Sequence, residues 1–273
     1  MTTLQKVIKY LAIGFAVFLI AVVINTIIGG VELLTEGFSF INNKTQNVEI
    51  DEDYSTYRKF DESINYLNID LAGSNLIIKT GEDLSVDTNS KNIKITNDNN
   101  RLMIVETKKK INRGFKDVIV TIPSNLIFDR VNISTGAGKV SVNGINTDIL
   151  KMELGAGKVT LESIYSDKTK IETGAGNVDI KNSSLNDLDL ELGVGEINID
   201  GNITGESSIE SGIGSLNLKL NLPSYMYKFD LEKGLGEIQV NNEKITGNKV
   251  IGDGDNYIKI EGGIGSIKIN TDK

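Results

Sequence analysis

The stretch IETGAGNVDIKNSSLNDLDLELGVGEINI, residues 171–199, contains two copies of one short unit, a Gly-x-Gly pair between two runs of alternating apolar residues. The pair occurs seven times in the chain, and its first four spacings are identical while the last two are longer. A repeat of about 20 residues is typical of a solenoid, in which successive turns of chain stack along one axis. The seven pairs, which we predict to be the structural corners of the repeat, are Gly136/Gly138, Gly155/Gly157, Gly174/Gly176, Gly193/Gly195, Gly212/Gly214, Gly234/Gly236 and Gly263/Gly265.

The alternation around each pair predicts strands on both sides of it. Apolar residues step by two before the pair, as at Leu190 and Leu192, and again after it with shifted parity, as at Ile197 and Ile199. Such a shift indicates a corner or bulge, so each coil would have at least two short strands that join at a glycine pair and keep one face inward. We therefore predict an all-β fold, a parallel β-solenoid or β-helix of coils about 19 residues long.

The residue between the two glycines is apolar in every copy. We expect these residues to form one interior column that widens toward the C-terminus, with about seven coils spanning on the order of 34 Å at a strand spacing of about 4.8 Å. The column would consist of Ala137, Ala156, Ala175, Val194, Ile213, Leu235 and Ile264.

Both ends of the repeat depart from its regular spacing. Residues 67–81, LNIDLAGSNLIIKTG, look like a degenerate coil with Gly73 in place of the pair, and residues 86–122 have the polar turns of hairpins. We predict a hairpin-rich N-terminal cap, which would protect the first edge of the solenoid. At the other end, the sequence leaves two alternatives: an exposed β edge, or an edge covered by the longer connection 237–262.

The N-terminus carries an uncharged apolar segment, LAIGFAVFLIAVVINTIIGGV, at residues 11–31. At about 1.5 Å per residue, a helix of this length spans roughly 31 Å, the thickness of the hydrocarbon core of a bilayer. Lys6 and Lys9 precede the segment and Glu32 and Glu36 follow it, so the positive-inside rule places the N-terminus in the cytoplasm. We predict a single transmembrane signal anchor and keep cleavage of the segment as the alternative.

This anchor divides the chain into four parts. Residues 1–10 are expected to be a short cytoplasmic segment and residues 11–31 the anchor. Residues 32–60, largely polar and without a sustained period, are expected to be an extracytoplasmic stalk, and residues 61–273 the extracytoplasmic β-solenoid. The expected location is the cell membrane, with contact to the membrane through the N-terminal helix.

The composition excludes several kinds of chemistry. The chain has no Cys, His or Trp, which excludes disulfides, thiolate or imidazole metal sites, and Ser-His-Asp or Cys-His catalytic sets. Each glycine pair is followed by a β pattern, whereas a phosphate-binding loop precedes a helix. The net charge is −8, and the part of the chain up to Val31 has two lysines and no acids, which leaves −10 on the remainder. We therefore expect no enzyme activity, no nucleotide cofactor and no binding to nucleic acid.

A glutamate stands two residues before six of the glycine pairs, and Ser134 takes that position in the first coil. In stacked coils these glutamates would form an outward row of carboxylates, a weak candidate for binding a cation such as Ca²⁺. The alternative is a solvated surface, and residues 252–256, GDGDN, are more typical of a turn than of a calcium loop. The six glutamates are Glu153, Glu172, Glu191, Glu210, Glu232 and Glu261.

The extracytoplasmic part has one basic cluster, which could contact lipid head groups or wall polymers, or could be a solvated hairpin tip. It consists of Lys108, Lys109, Lys110, Arg113 and Lys116.

Residues 119–142, IVTIPSNLIFDRVNISTGAGKVSV, together with the repeated units and the N-terminal segment, resemble a known bacterial family. This is the family of membrane-anchored β-repeat proteins called "putative adhesins", a domain of unknown function, some members of which accompany Lia-type cell-envelope stress operons. The resemblance covers roughly residues 61–273 and brings no catalytic motif with it.

Three functional hypotheses follow. The first is a non-enzymatic surface protein, an adhesin or envelope-stress accessory scaffold, that binds an unknown envelope protein or polymer through its solenoid face. The second is a bactofilin-like structural polymer that assembles through the C-terminal β edge. The third is a carbohydrate-active enzyme built on a β-helix.

Overall fold

The computed structural model describes residues 56–61, 63–107 and 116–272, which lie in one compact unit, Asp53–Lys273. Their secondary structure is β apart from one 3₁₀ turn, Ser224–Met226. The strands are β1 (Thr56–Lys59), β2 (Tyr66–Leu71), β3 (Asn75–Gly81), β4 (Ser85–Thr88), β5 (Ile93–Asp98), β6 (Arg101–Glu106), β7 (Asp117–Pro123), β8 (Ile127–Asn186), β9 (Leu188–Thr204), β10 (Glu206–Pro223), β11 (Tyr227–Val240), β12 (Glu243–Ile245), β13 (Lys249–Ile251) and β14 (Asn256–Asp272).

The predicted anchor, residues 11–31, lies outside the described residues. Across the part of the chain that the structure describes, no helix combines the length and the apolar character needed to cross a bilayer.

The regular coils stack in parallel with an offset of one repeat, as predicted. Ile171 of β8 is paired with Leu190 of β9, and Leu190 is paired in turn with Ile209 of β10. These strands are long because the ladder continues around the corners of each coil. All three side chains are fully buried, and each contributes roughly 1.5–3 kcal/mol through burial.

Three successive coils have a second corner at the same place in the repeat. Gly144, Ser163 and Asn182 occupy equivalent positions in successive coils and have positive φ angles of 80°, 55° and 50°. Nearby hydroxyl groups donate hydrogen bonds to backbone carbonyls that follow these corners. Thr147 Oγ1 donates to the carbonyl of Ile149 at 3.1 Å, and Ser166 Oγ donates to that of Lys168 at 2.9 Å. These corners keep the inward residues of each coil in line with those of the next.

The C-terminal coil does not lie at the end of the stack. Strand β14 is inserted between β10 and β11, so Ile264 is paired with Ile213 on one side and with Leu235 on the other. Strands β12 and β13 come from the connection between β11 and β14 and pair antiparallel with β11. Of the two alternatives that the sequence leaves open, the structure therefore has the covered edge.

The N-terminal end is built in a similar way. Strands β2 and β3 stack on the first regular coil, with Leu67 paired with Val131 and Leu76 with Val140, which confirms the degenerate coil. Strands β6 and β7 stack outside them, although they come later in the chain.

Antiparallel strands β5 and β4 cover this outer coil, and β1 pairs with β4. The predicted hairpin-rich cap is thus present, over one further parallel coil that the sequence did not indicate. Because β1 belongs to the sheet, the folded region includes Thr56, earlier than the boundary expected at residue 61.

Candidate functional site

At each Gly-x-Gly corner, the backbone rotates relative to the flanking strands. A Cβ on Gly193 would lie 2.5 Å from the carbonyl oxygen of Gly174 in the neighbouring coil, and one on Gly195 would lie 1.7 Å from that of Gly176. Gly195 also has a φ of 145°, which residues with side chains rarely adopt. At both glycines the side-chain direction points along the stacking axis, so only glycine lets the coils approach this closely.

The glycine pairs do not separate short strands, and this part of the corner prediction is wrong. Gly138 and Gly157 both lie inside β8, which runs unbroken from Ile127 to Asn186 through the pairs. Their φ angles are 136° and 145°. The backbone therefore turns at these glycines without leaving the parallel ladder, because pairing to the adjacent coil continues around the corner.

The second glycine of the first corner is less constrained than its counterparts in later coils. A Cβ on Gly138 would lie 3.1 Å from the carbonyl oxygen of Ser74, whereas one on Gly157 would lie 1.9 Å from that of Gly138. The difference arises because the coil below Gly138 is the degenerate one, which has no glycine pair at its corner. At the second glycine of the pair, the closest approach therefore begins at Gly157, where glycine stacks on glycine, whereas a Cβ on Gly136 would already lie 2.6 Å from the carbonyl oxygen of Ala72.

The residue between the two glycines points outward, and the expectation of an interior column is wrong. Leu192 is 3% exposed, but Val194, two residues later, is 44% exposed. Because the glycine between them points along the axis, the in-and-out alternation is interrupted there, and the middle residue lies on the convex side of the corner. Ile264 and Leu235, at the equivalent positions, are 46% and 67% exposed.

These outward residues form one continuous apolar line at the C-terminal end of the stack, which we call the corner stripe: Val194, Ile213, Ile264 and Leu235, in that spatial order. They are direct register partners, Val194 with Ile213, Ile213 with Ile264, and Ile264 with Leu235. Alanines occupy the same position in the three preceding coils. The apolar surface is therefore concentrated at one end of the stack.

A small pocket lies beside the corner stripe, with a volume of about 20 Å³. It exists because the residue at the inward position next to the corner becomes smaller in successive coils. Leu192, Ser211 and Gly262 occupy this position and are register partners in that order. Ser211 Oγ is buried and has no hydrogen-bond partner. The space is enough for one water or the end of one side chain, and it is far below the roughly 300–1,000 Å³ of a small-molecule site. Its lining includes Ser211, Leu216, Leu235, Ile264 and Ile267.

The predicted row of glutamates runs alongside the stripe. Glu172 is paired with Glu191, Glu191 with Glu210, and Glu210 with Glu261, followed by Glu232. This register confirms that the row is continuous. Its order differs from the order in the chain, because β14 is inserted before β11.

Besides Lys151, which pairs with Glu153, two lysines partly neutralise the row. Lys170 Nζ lies 2.8 Å from carboxylate oxygens of both Glu172 and Asp189, and these hydrogen bonds, to Asp189 first, raise the pKa of Lys170. Lys259 Nζ forms ion pairs with Glu261 and Glu232. Between them lies Glu210, whose register neighbours on both sides, Glu191 and Glu261, are carboxylates. Partial burial, followed by the charges of Glu261 and Glu191, raises the pKa of Glu210.

The glutamates do not converge on a metal site. Each coil contributes one carboxylate to the row, whereas Ca²⁺ takes six to eight oxygen ligands, typically several of them carboxylates. Across residues 56–61, 63–107 and 116–272, no group of three or more acidic side chains is placed to hold a metal ion. The candidates Glu153 and Glu232 instead lie in ion pairs, with Lys151 at 2.5 Å and with Lys259 at 3.4 Å.

The other two predicted features are peripheral. Residues 252–255 link β13 to β14, and Asn256, at the start of β14, donates from Nδ2 to the carbonyl of Met226 at 3.0 Å. This segment is a turn, as expected. Of the basic cluster, Lys116 is described, while Lys108, Lys109, Lys110 and Arg113 lie outside the described residues.

Comparisons with known proteins give one family and several solved structures. The family model described as "Toastrack DUF4097" matches residues 26–270. No curated protein matches the chain.

The chain is similar to the crystal structure of a "putative cell adhesion protein" from Clostridium sporogenes, with 15% identity, a TM-score of 0.40, and coverage of 81% of this chain and 100% of that one. It is similar to a "putative adhesin" from Bacteroides fragilis, with 14% identity, a TM-score of 0.43, and coverage of 80% and 98%. It is also similar to a "putative lipid binding protein" from Parabacteroides distasonis, with 17% identity, a TM-score of 0.40, and coverage of 80% and 97%. Likeness at this level carries no inference about function.

Proposed function

The chain belongs to the Toastrack DUF4097 family, and we propose that it is a non-enzymatic scaffold, anchored in the cell membrane, that binds a protein partner or another envelope component through its corner stripe. The family match confirms the resemblance that the repeats indicate. The binding face and the anchor are the parts that we propose.

One observation carries the binding role: four large apolar side chains are in direct register at the surface of the corner, of which Val194, Ile264 and Leu235 are exposed and Ile213 is half-buried. Most other apolar residues of the alternation lie inside. The fold does not require Val, Ile or Leu at the stripe, because alanine occupies the same corner position in three other coils. Contiguous exposed apolar surface rimmed by charged residues is characteristic of interaction sites. The glycines on either side leave the stripe accessible to a partner.

The sequence supports the location of this scaffold. An apolar segment of bilayer length, with lysines before it and glutamates after it, favours an anchor whose C-terminal part faces outward. The resemblance to family members that accompany Lia-type operons favours a role in the response to envelope stress. In this proposal the solenoid presents the stripe outside the membrane.

Photo-crosslinking in living cells tests the proposal. A photoreactive amino acid at Leu235 or Ile264 in the full chain is expected to give a discrete adduct with another envelope component. The matched control is the same amino acid at Tyr165, which is 55% exposed and lies about half a coil from the nearest glycine corners.

Equal adducts from all three positions, or adducts from Tyr165 alone, would contradict the proposal. Adducts between two copies of the chain would favour the structural polymer instead.

A further inference from the structure

We propose that the corner stripe docks a basic amphipathic α-helix of a partner protein, lying along the stacking axis of the coils. This inference rests on the proposed function and specifies the partner class. It follows from the spacing of the stripe, the charge beside it and its limited area.

The spacing of the stripe suits a helix better than an extended strand. Four coils at about 4.8 Å place Val194 and Leu235 about 14 Å apart. Three turns of helix advance about 16 Å, so same-face side chains stay within about 2 Å of the stripe residues over its full length. Same-face residues of a strand repeat at about 6.7 Å, so over three intervals they move about 6 Å out of step with the stripe residues. About ten to fourteen residues of helix, with apolar residues at i, i+3/i+4 and i+7, would cover the stripe.

The charge beside the stripe specifies a basic partner. Glu191, Glu210, Glu261 and Glu232 follow one another along one side. Lys259 is paired with the last two and Lys170 Nζ lies 3.8 Å from Glu191, so Glu210 stands between the two lysines. Lysine or arginine on the flank of a docked helix would approach this row and relieve the repulsion among its carboxylates. An anionic lipid surface would be repelled by the same row.

The area and charge of the stripe also argue against a second copy of the chain as the occupant. A stable dimer buries about 800 Å² on each partner, whereas four side chains in single file offer only a narrow strip. Two stripes brought face to face would also place acidic rows close together. A single helix needs less area and brings the opposite charge.

The pocket supplies an anchor point for such a helix. It opens beside Leu235 and Ile264, and the unpartnered hydroxyl of Ser211 is part of its lining. A volume of about 20 Å³ admits the end of one apolar side chain from a helix lying on the stripe. Anchoring of one side chain in a well-packed pocket is a common way in which narrow interfaces gain affinity.

The test uses a fluorescent peptide of about 14 residues with leucines on one helical face and lysines flanking them. Its binding to the full chain in nanodiscs of zwitterionic lipid is followed by fluorescence anisotropy, with empty nanodiscs subtracted. Three control peptides have the same length: a scrambled sequence, a sequence with glutamate in place of lysine, and one with leucine and lysine alternating at strand period. We expect the helical basic peptide to bind at least about tenfold more tightly than each control.

Two double variants locate the site. L235S/I264S is expected to weaken peptide binding by at least about tenfold, and E210Q/E261Q to weaken it and reduce its dependence on salt. All four side chains are at the surface, so the fold should be retained, and circular dichroism checks this. Tyr165→Ser is the matched control and should bind as the unmodified chain does.

Three results would overturn the proposal: unchanged affinity in L235S/I264S, equal binding of the scrambled peptide, or tighter binding of the strand-period peptide. Self-association of the chain at the same concentrations, lost in L235S/I264S, would also overturn it and assign the stripe to a second copy. If every peptide fails while crosslinking from Leu235 still captures an envelope component, the helical partner is wrong and the proposed function stands.

Discussion

The glycines of each corner are constrained by the backbone of the neighbouring coil. Gly195 combines a positive φ of 145° with a Cβ position 1.7 Å from the carbonyl oxygen of Gly176. Gly247 has a positive φ of 74° but open space around its Cβ position. Gly247 therefore reports the cost of a left-handed backbone alone, whereas Gly195 adds the collision and a φ that residues with a side chain adopt still less readily.

We predict that Gly195→Ala lowers the free energy of unfolding of the full chain by at least about 3 kcal/mol, whereas Gly247→Ala costs about 1 kcal/mol. Denaturant titration followed by circular dichroism measures both. Equal losses would mean that the collision costs little and that the coils separate easily at the corner.

The carboxylate of Glu210 is the member of the acidic row whose pKa is raised, by partial burial and then by its neighbours Glu261 and Glu191. A raised carboxyl pKa means that the folded state disfavours the charged form, so this group lowers stability above its pKa and the loss disappears as the pH falls.

Glu210→Gln is therefore expected to raise the unfolding free energy at pH 7 by a few tenths of a kcal/mol, with no gain at about pH 3, below the ordinary glutamate pKa of about 4.3. Thermal unfolding at both pH values checks this, with Glu243→Gln on β12 as the control. A gain that persists at low pH would have to come from something other than charge.

The direction of the corner residues shows where sequence reasoning fails at this scale. Leu190, Leu192 and Val194 step by two, and the pattern predicts that all three are buried. The first glycine points along the axis, and period-two counting cannot detect this rotation. The increase in side-chain volume from Ala137 to Leu235 is the one indication in the sequence that these residues are not interior. An interior column in coils of equal size would need residues of similar volume.

At the scale of the elements, the caps determine how the solenoid ends. Ile245 of β12 is 5% exposed and is paired with Ile238 of β11. Val250 of β13, on the same cap, is 53% exposed. Because β11 is the last coil of the stack, loss of the cap would expose an unpaired parallel edge.

Ile245→Asp is expected to detach β12 and cause concentration-dependent self-association, whereas Val250→Asn, which adds no charge opposite its register partner Asp230, should leave the chain as it was. Light scattering over a hundredfold range of concentration measures this. Absence of self-association in Ile245→Asp would show that β12 does not protect the edge.

The sequence predicts the register of the coils but not their order. Glu210 is opposite another glutamate whether β10 is followed by β11 or by β14, because both strands carry the same repeat. The order is decided by the connection 241–255, which is long enough to reverse twice and form β12 and β13 before β14 begins. The long last interval between glycine pairs indicates an insertion, but the insertion itself does not show where the following coil lies. The same ambiguity applies to β2, β3, β6 and β7 at the other end.

At the scale of the molecule, the absence of cysteine from the chain allows its predicted topology to be tested cleanly. Tyr165→Cys is expected to react with a membrane-impermeant maleimide in intact cells, and Thr3→Cys only after the membrane is permeabilised. Protection of Tyr165→Cys in intact cells, with reaction after permeabilisation, would place the solenoid in the cytoplasm.

Fold class and coil length follow from the sequence because side-chain alternation and the glycine repeat are local properties. The candidate site does not follow from them, because the stripe depends on a backbone rotation at the corner and on the inserted position of β14. The row of glutamates, predicted from the repeat, is the part of the site that the sequence does reveal. That this row borders an apolar stripe becomes visible only in the structure, which places the row and the stripe on the same corner.

The most direct test of the corner stripe is disulfide formation between paired cysteines in the otherwise cysteine-free chain. Ile213→Cys with Ile264→Cys joins register partners, which lie about 4.8 Å apart and within disulfide range. Ile213→Cys with Leu235→Cys joins residues two coils apart, about 9.6 Å, which is too far. Under mild oxidation we expect the first pair to crosslink rapidly and the second to stay reduced. Crosslinking of the second pair, with the first unreactive, would contradict the order of the coils and therefore the order of residues in the stripe.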